Sequence, residues 1–372
     1  MTATRWGICS AGKISHDFLV AMKTLPSEDH KLPRVLGQPN KMCAGYTANS
    51  KAIIMRWDVP ISIGEMLEVL AIASRELSRA QEYAKNHSIP KAYGSYAELA
   101  QDPDIDVVYV GVVHPHHLPA TLLFIQAGKN VLCEKPLGMN AAEVKKMVQA
   151  AREKEVFLME ACWTRFFPAL EKIRSLLDQK TVGDVLVVQT DFGVPNQTVP
   201  RAVEKDLGGG ALLDIGVYCV QLACMVFDGE KPESIVASGF LHGTGVDETA
   251  SVILNYSGQR QAALTYTMMA WMPNKASITG TKGIIEIPGP FWCPDELVVN
   301  GQKEEFPLPH PSQKLYFIKS TGLRYEAEHV RQCLLQGLKE SPIMSHGDSE
   351  LLHSILDEIR RQLGVSYPQD HA

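Results

Sequence analysis

Residues 5–14, RWGICSAGKI, join a short apolar run to a glycine-containing turn and the start of a helical pattern. They predict a strand that ends near Cys9 and a helix that extends to about Leu25. Such a turn lets backbone N–H groups and a helix N-terminus meet a pyrophosphate. The residues expected at a nucleotide here are Gly7, Cys9, Ser10, Gly12 and Ile14. Because Cys9 replaces the middle glycine of G-x-G-x-x-G, the motif alone also fits an ordinary strand–helix turn.

Strand and helix patterns alternate over the first 160 residues. Further strands are predicted at 69–73, 107–113, 131–133 and 156–159. The run 107–113 is almost continuously apolar, as expected of a parallel strand that is covered on both faces. Helix ends are predicted from Ser78 with Gln81, from Gly128, and from Asn140 with Glu143. The alternation predicts a doubly wound α/β domain, a Rossmann fold with a parallel sheet, over residues 1–161.

The rhythm changes after about residue 162. Six strand candidates follow closely, at 184–192, 234–241, 249–256, 261–269, 276–279 and 283–287. Their short connections exclude parallel crossovers, which need a dozen residues or more. Helical patterns accompany them at 210–227, 324–336 and 349–363. We predict a second α/β domain over 162–372 with a mostly antiparallel open sheet, whose last helices can pack back on the first domain.

Composition and charge exclude several classes of protein. Lys and Arg total 36 against 42 Asp and Glu, a formal charge of −6, which argues against a nucleic-acid surface. The longest apolar run, 107–113, is far shorter than the roughly 20 residues that span a bilayer, so no membrane segment is expected. Residues 1–10 lack the features of a secretory signal. The eight cysteines are scattered without C-x-x-C spacing, so we expect no metal site and a cytoplasmic, reducing compartment.

Residues 31–67 interrupt the alternation. Gly12 and Ser74, at the end of the second predicted strand, are 62 positions apart. The residue that contacts a cofactor ribose normally lies roughly 20 positions after the glycine turn, which leaves an excess of about 40. This stretch has no periodicity, so we expect an inserted loop. A long loop costs little closure entropy and is tolerated on our interpretation; the alternative is that it displaces the second strand and abolishes nucleotide binding.

The segment 74–79, SRELSR, follows the second predicted strand. A carboxylate at this place accepts a hydrogen bond from the 2′-hydroxyl of NAD, whereas an arginine favours the 2′-phosphate of NADP. Ser74, Arg75 and Arg79 therefore favour NADP, since Arg79 lies one helical turn after Arg75. Glu76 could instead serve a ribose, and two solvated arginines at a helix start are the structural alternative.

Two further polar clusters follow the next two strands, at the sheet edge where ligands bind. The first, HPHH, contains His114 and His117; it fits a solvated turn or a cofactor contact, and a metal site only poorly, because no carboxylate or cysteine stands at ligand spacing. The second contains Glu134 and Lys135, which precede Pro136. A lysine ammonium at this edge stabilises a developing alkoxide.

The second domain contributes residues 208–218, GGGALLDIGVY. On a helix, Asp214 and Tyr218 are four positions apart and share one face. The preceding glycines allow the backbone to approach a substrate closely. Without further context, an Asp and a Tyr on an amphipathic helix are more often structural. Trp163, just after the predicted domain joint, belongs either to the core or to the wall of an interdomain cleft.

The glycine turn, the Glu134-Lys135-Pro136 motif and the pattern GG-x-L-x-D-x-G-x-Y over 209–218 together resemble the glucose–fructose oxidoreductase / inositol dehydrogenase / MocA family. Longer stretches are similar as well, among them AGKNVLCEKPLG, FLMEACWTRFFPA and GGGALLDIGVYCVQ. The resemblance covers nearly the whole chain except about 31–67. It implies an N-terminal Rossmann domain, a C-terminal domain with a largely antiparallel sheet, NADP as cofactor, and homodimers.

The resemblance also implies an activity and a set of residues. The activity is NADP-dependent oxidation of trans-dihydrodiols of aromatic hydrocarbons to catechols, and of D-xylose at C1 to the lactone. Arg75 and Arg79 would bind the 2′-phosphate and His117 would contact the cofactor. Lys135, Asp214 and Tyr218 would be catalytic. Aromatic side chains would wall the substrate pocket, for which the candidates are Trp163, Phe192 and Trp292.

The chemistry requires a base, because the hydroxyl loses a proton as hydride leaves carbon. A phenol with a pKa near 10 is a poor base at neutral pH, and lowering that pKa by about 2–3 corresponds to roughly 3–4 kcal/mol. We expect the Lys135 ammonium to lower it, so that Tyr218 is the base, Lys135 its electrostatic activator and proton relay, and Asp214 the group that positions Lys135 or the substrate hydroxyl.

Three alternatives stay open at this point. A non-catalytic NADP(H)-binding sensor or scaffold has no need of the Lys135–Asp214–Tyr218 set. An isoform inactivated by the insertion is the second. The third is an oxidoreductase for another sugar, such as an inositol or aldose–aldose enzyme, which Tyr218 disfavours because many family members carry histidine there.

Overall fold

The computed structural model describes residues 4–25 and 67–371. Its first sheet has six parallel strands in the order β3-β2-β1-β4-β5-β6. They are β1 (Thr4–Cys9), β2 (Leu67–Ala73), β3 (Lys91–Tyr93), β4 (Val107–Val110), β5 (Asn130–Glu134) and β6 (Leu158–Ala161). The helices are α1 (Lys13–Met22), α2 (Leu77–His87), α3 (Tyr96–Gln101), α4 (His117–Gln126) and α5 (Ala141–Lys154). This order confirms the predicted doubly wound sheet and places its switch point between β1 and β4, where such sheets bind ligands.

Two of the three predicted helix caps are confirmed. The Asn140 side chain accepts a hydrogen bond from the backbone N–H of Glu143 at 2.8 Å, and Gly128 adopts φ +74° just after α4. The predicted cap at Ser78 is wrong, because α2 already begins at Leu77 and Glu76 precedes it without a side-chain cap. The short elements β3 and α3 were not predicted.

The second sheet has eight strands in the order β14-β13-β12-β11-β7-β10-β9-β8. They are β7 (Val185–Gly193), β8 (Ser234–Leu241), β9 (Asp247–Tyr256), β10 (Arg260–Thr267), β11 (Ala276–Gly280), β12 (Gly283–Ile287), β13 (Glu296–Val299) and β14 (Gln302–Glu305). Only β7 and β10 pair in parallel; the other neighbours are antiparallel. The mostly antiparallel sheet is therefore confirmed, although β13 and β14 were not predicted.

The remaining helices follow β6 in the chain, and the last of them packs against strands of both sheets. They are α6 (Pro168–Asp178), α7 (Pro200–Val203), α8 (Val217–Val226), α9 (Leu323–Leu335) and α10 (His346–Leu363). A π-helical turn, Leu212–Gly216, leads into α8. The helical stretch Lys205–Val226 is long and apolar enough to cross a membrane by length and composition, but 94% of its most apolar window is buried inside the protein, as in a core helix.

The last helix bridges the two sheets. His353 of α10 contacts Glu160 at the end of β6, with 3.1 Å between Nε2 and Oε1, and Asp357 accepts a hydrogen bond from the backbone of Ala141 at 2.9 Å. The domain boundary between residues 161 and 162 stays a prediction; β6 ends at Ala161. The predicted insertion at 31–67 lies outside the described residues except for Leu67, which begins β2.

Candidate active site

The carboxyl ends of β1, β2, β4 and β5 meet at one edge of the first sheet. The loops that follow them carry the glycine turn, Ser74 and Arg75, the 3-10 turn His114–His116, and Lys135. The π-helical turn before α8 faces this edge, because Lys135 contacts Asp214 across it. π-Helical turns interrupt a regular helix and occur frequently at functional sites. The sheet edge and the second domain therefore form one cleft.

Lys135 is the centre of this cleft. Its Nζ donates a hydrogen bond to the backbone oxygen of Asp214 at 2.6 Å and lies 3.8 Å from the Oδ1 of the same residue. The same ammonium lies 4.8 Å from the centroid of the Tyr218 ring. The structure thus brings together the three residues that the sequence predicted to be catalytic.

Burial and neighbouring charges set the protonation of this group. Burial lowers the pKa of Lys135, and the Asp214 and Glu134 carboxylates oppose that shift. Burial alone would raise the pKa of Asp214, but the charges of Arg201 and Lys135 hold it well below its usual range. Asp214 is therefore an anion, and the Lys135 proton is held less firmly than in water.

Arg201 is a member of the site that the sequence analysis missed. Its Nη1 donates to Asp214 Oδ1 at 2.9 Å, and Asp214 raises the pKa of the guanidinium in turn. Arg201 lies in the four-residue helix α7, thirteen positions before its partner. No local motif marks such a pair.

The environment of the Tyr218 hydroxyl corrects one expectation. Its oxygen accepts a hydrogen bond from Trp163 Nε1 at 2.9 Å, and the residue is only 9% exposed. Burial, reinforced by the Glu134 charge, raises the pKa of Tyr218 above its usual range, although the Trp163 bond opposes this. The expected net lowering of this pKa is therefore wrong for this arrangement, because burial outweighs the Lys135 ammonium that lies over the ring.

The three predicted pocket residues surround Tyr218. The rings of Phe192 and Trp292 are stacked, with 3.7 Å between centroids and 8° between planes. Phe192 also lies 5.7 Å from the Tyr218 ring, and Trp163 holds its hydroxyl. The second domain thus presents an aromatic wall beside the Lys135 ammonium.

The glycine turn is fixed by two side chains of α2. Arg79 Nη2 donates to the Ala11 carbonyl at 2.9 Å, and the Tyr83 hydroxyl donates to the Gly12 carbonyl at 2.6 Å. Ser10, with φ +100°, starts the turn and Gly12 precedes the first residue of α1. The backbone N–H groups at the start of α1 therefore meet the cleft, as a pyrophosphate site requires.

Three residues predicted at the nucleotide lie in or against the core instead. A Cβ on Gly7 would lie 3.0 Å from Leu99 and 3.1 Å from Ile105, so this glycine serves strand packing. Cys9 is fully buried and burial raises the pKa of its thiol, while Ile14 packs against the core. The buried Cys9 side chain is not available to a nucleotide, whereas Ile14 is only partly buried in the first turn of α1.

The residues predicted to select the cofactor lie at the end of β2. Arg75 is exposed, and Ser74 is buried beneath it with its hydroxyl 3.5 Å from the backbone nitrogen of Glu76. Arg79 is occupied by the Ala11 carbonyl, as described above. Arg75 is thus a cation at this place that is available to a phosphate.

The histidine prediction needs correction. His117 is completely buried, and its two ring nitrogens lie 2.7 Å from the Pro136 carbonyl and 3.1 Å from the Val112 carbonyl. Its ring therefore holds the loop beside Lys135 and is not available to a cofactor. His114 contacts the Gly208 carbonyl at 3.0 Å, and burial lowers its pKa to about 3. Within residues 4–25 and 67–371, no three His, Cys, Asp or Glu residues group as metal ligands.

Glu134 also lies below the cleft. Its carboxylate accepts a hydrogen bond from the Tyr109 hydroxyl at 2.6 Å, and it is only 7% exposed. Burial raises its pKa, against the effects of the Tyr109 bond and the Lys135 charge. Its predicted role at the cofactor is therefore indirect, through the charge that it places behind Lys135.

The residues present fit a nicotinamide dinucleotide. The strand order, the turn at the N-terminus of α1 and the exposed arginine after β2 supply a pyrophosphate cradle and a partner for a ribose phosphate. A nicotinamide bound at the sheet edge beside Lys135 and Tyr218 would face a lysine, a phenol and an aromatic wall. This donor set suits removal of a proton and a hydride from an alcohol.

Comparison with known proteins defines the class. Residues 5–162 match the oxidoreductase family with an NAD-binding Rossmann fold, and residues 170–286 match the GFO/IDH/MocA C-terminal domain. The chain belongs to this family of oxidoreductases, which confirms the resemblance inferred from its motifs.

Two relatives that share one name match nearly the full length of this chain. A protein of Xenopus tropicalis named trans-1,2-dihydrobenzene-1,2-diol dehydrogenase is 56% identical over 366 residues, 98% of this chain and 100% of the relative. The human protein of the same name is 47% identical over 368 residues, 99% of each chain.

Solved structures show the same fold at lower identity. Levoglucosan dehydrogenase in complex with NADH and levoglucosan matches 98% of each chain with a TM-score of 0.77 at 19% identity. The aldose–aldose oxidoreductase of Caulobacter crescentus matches 97% of each chain with a TM-score of 0.74, also at 19% identity.

Proposed function

We propose that this chain is an NADP-dependent dehydrogenase that oxidises trans-dihydrodiols of aromatic hydrocarbons to catechols, and D-xylose at C1 to the lactone. The observation that carries the proposal is the convergence of the Lys135 ammonium, the Asp214 carboxylate and the Tyr218 phenol in one cleft, beside stacked aromatic rings. The names of the relatives support the diol substrate, and the aromatic wall suits a flat, partly unsaturated ring.

The cofactor, when bound, supplies the hydride acceptor. The protein then has to take one proton from the substrate hydroxyl. A dihydrodiol that loses two hydrogens as hydride and proton becomes a ketone, which tautomerises to the catechol; a sugar hemiacetal becomes the lactone. Tyr218 is the proposed base, at the surface of the aromatic wall.

Two neighbours stabilise the phenolate that the base must form. Trp163 N–H donates to the phenol oxygen, and a hydrogen bond to an anion is stronger than one to a neutral group. Lys135 adds a positive charge over the ring, and its lowered pKa favours its service as a proton relay. Asp214, paired with Arg201, orients the lysine through its backbone and its carboxylate.

Arg75 supports the choice of NADP. It is exposed at the end of β2, where a guanidinium can bind a 2′-phosphate bidentately. Ser74 lies beside it, and Arg79 can reach the same region if it exchanges the Ala11 carbonyl for the phosphate. Glu76, also exposed, is the residue that favours NAD.

A homodimer forms through the open face of the second sheet on this proposal. Among the described residues, α8 and α10 pack against this sheet, while β8 exposes Val236 by 56% and Phe240 by 71%. An exposed apolar patch of this kind marks an association surface. Light scattering of the wild type and of Phe240→Lys tests it: a dimer that becomes a monomer is expected, and a monomeric wild type contradicts it.

The proposed location is the cytoplasm. In the described part of the chain the seven cysteines are all free and buried, as is common where thiols stay reduced.

A side-by-side assay tests the function. Purified protein is given a trans-dihydrodiol or D-xylose, each with NADP and with NAD, and NADPH or NADH formation is followed by absorbance. Turnover of the dihydrodiol with a preference for NADP is expected. Binding of NADPH without turnover of either substrate would favour the sensor alternative, and turnover of xylose alone would remove the diol assignment.

A further inference from the structure

A segment of the second domain lies across α1, the helix of the first domain that begins at the glycine turn. Residues 314–320, here called the strap, run between β14 and α9 and lack regular secondary structure up to Ser320, which begins a 3-10 turn, Ser320–Gly322. The strap exposes Tyr316 by 58% and Ile318 by 57%, so few apolar contacts hold it in place. Its position must therefore be fixed by polar anchors.

Asp17 of α1 is the main anchor. It is completely buried, and its carboxylate accepts hydrogen bonds from the backbone N–H groups of Tyr316 at 2.9 Å and Phe317 at 2.8 Å, and from the Ser320 hydroxyl at 2.5 Å. Three donors from one segment converge on a single buried charge. Releasing the strap would take these hydrogen bonds away from a buried carboxylate, which is costly, so Asp17 holds the strap against α1.

The C-terminal end of the strap forms an ion pair near the aromatic wall of the predicted substrate pocket. Lys319 Nζ contacts Asp295 Oδ1 at 2.6 Å, three residues after Trp292 of the aromatic wall. Lys319 also adopts φ +55°, a left-handed conformation that a side chain such as lysine rarely takes. The strap thus connects the pocket wall to the helix that starts at the glycine turn.

A line of four rings leads from the strap to the turn itself. Tyr316 packs edge-on against His16, with 5.1 Å between centroids, and His16 Nδ1 lies 3.1 Å from His87 Nε2. The His87 ring lies 4.8 Å from that of Tyr83, whose hydroxyl donates to the Gly12 carbonyl. Since His16 Nε2 faces the Lys314 carbonyl at 3.0 Å, the strap's backbone also orients the first imidazole.

We propose that Asp17 is a positioning residue for the cofactor: it anchors the strap against α1, and the strap, through the line of rings, holds the glycine turn in the shape that binds the dinucleotide. This rests on the proposed function, because it assumes that the turn binds NADP(H). Asp17 itself touches neither cofactor nor substrate on this proposal. It acts through the strap.

The test is the dissociation constant for NADPH, measured by energy transfer from tryptophan, in the wild type and in Asp17→Asn. Asparagine keeps one acceptor but turns an amide N–H₂ towards the strap's donors. Losing a hydrogen bond to a charged group lowers the equilibrium constant for holding the strap against α1 by about tenfold or more. We therefore expect NADPH to bind about tenfold more weakly. The KM for NADP should rise to match, with kcat at saturation within about twofold. Hydrogen exchange at Tyr316 and Phe317 should speed up.

Asp102→Asn is the matched control. Asp102 is also a buried carboxylate with several bonds, to Lys91 at 3.0 Å and Tyr93 at 3.0 Å, but it lies at the opposite, amino-terminal edge of the sheet. It should lower stability without changing NADPH affinity. If Asp17→Asn does not fold, Ser320→Ala decides, because it removes one of the anchor's donors and should weaken NADPH binding by about threefold.

Unchanged NADPH affinity in a folded Asp17→Asn, or an equal loss in Asp17→Asn and Asp102→Asn, overturns the proposal while leaving the proposed function intact. Failure of the wild type to bind NADPH or NADH overturns the proposed function, and this inference with it.

Discussion

Replacing Trp163 with phenylalanine tests how the base works. The substitution keeps a ring in the aromatic wall but removes the N–H that donates to the Tyr218 oxygen at 2.9 Å. A neutral hydrogen bond contributes about 0.5–1.5 kcal/mol and one to a charged partner about 1.5–3. The phenolate therefore loses about 1–1.5 kcal/mol more than the phenol does.

That difference has two measurable consequences. Because the bond favours the charged form, its loss raises the pKa of Tyr218 by about one. The rise of kcat with pH should move to higher pH by about the same amount, and kcat near neutral pH should fall about five- to tenfold. The assay is steady-state turnover of a dihydrodiol with saturating NADP, over a pH series that starts at 6 and extends above the ordinary phenol value of about 10, because burial raises the pKa of Tyr218.

Trp292→Phe is the matched control. Trp292 belongs to the same wall and stacks on Phe192, but its indole does not bond to Tyr218 in the structure. It should change KM for the substrate while leaving the pH profile in place. A pH profile for Trp163→Phe that coincides with that of the wild type would refute the role of this hydrogen bond. It would also refute the phenolate of Tyr218 as the base.

Three further predictions concern charge, cofactor choice and stability. Asp214→Asn should lower kcat and remove a pH-dependent contribution to the free energy of unfolding. Because the pKa of Asp214 is lower in the folded protein, its carboxylate stabilises the fold fully above the unfolded pKa of about 3.9. That stabilisation is lost as the pH falls below this value towards the folded pKa. Urea unfolding of wild type and variant at pH 6 and pH 3 measures this: the difference should be largest at pH 6 and smaller at pH 3, where the unfolded carboxyl is already mostly protonated. Arg75→Met should raise the KM for NADP about tenfold or more and leave that for NAD nearly unchanged; equal effects on both cofactors would contradict a 2′-phosphate contact. Asn140→Ala, which removes the confirmed cap of α5, should lower the free energy of unfolding by about 1 kcal/mol, with no change in activity per folded molecule.

The meeting of Lys135 with Asp214 and Tyr218 could be predicted because two simple geometric rules apply. Residues after a parallel strand gather at the carboxyl edge of the sheet, and residues four apart on a helix share a face. The fold class followed in the same way from the alternation of apolar runs and from short connections. The missed elements β3, α3 and the fully exposed β14 are short and lack the apolar run that marks equally short strands such as β4, so they could not be recognised.

The errors at the site have a different origin. His117 was expected at the cofactor, but whether an imidazole points into a cleft or into two backbone carbonyls depends on tertiary packing that no local motif encodes. The pKa of Tyr218 likewise depends on burial and on Trp163, 55 positions away. Arg201 joins Asp214 from a separate short helix. The types of residue were predictable, whereas their orientation and protonation were not.

Hydride transfer in a single turnover tests the central claim most directly. Wild type, Tyr218→Phe and Lys135→Met are mixed with NADP and a dihydrodiol, and NADPH formation is followed after separate titrations have established that each variant binds NADPH. With Tyr218 as base and Lys135 beside it, the rate should fall about 10²–10⁴-fold in each variant, while Tyr218→Phe keeps its NADPH affinity. A rate near that of the wild type in either variant would contradict the account.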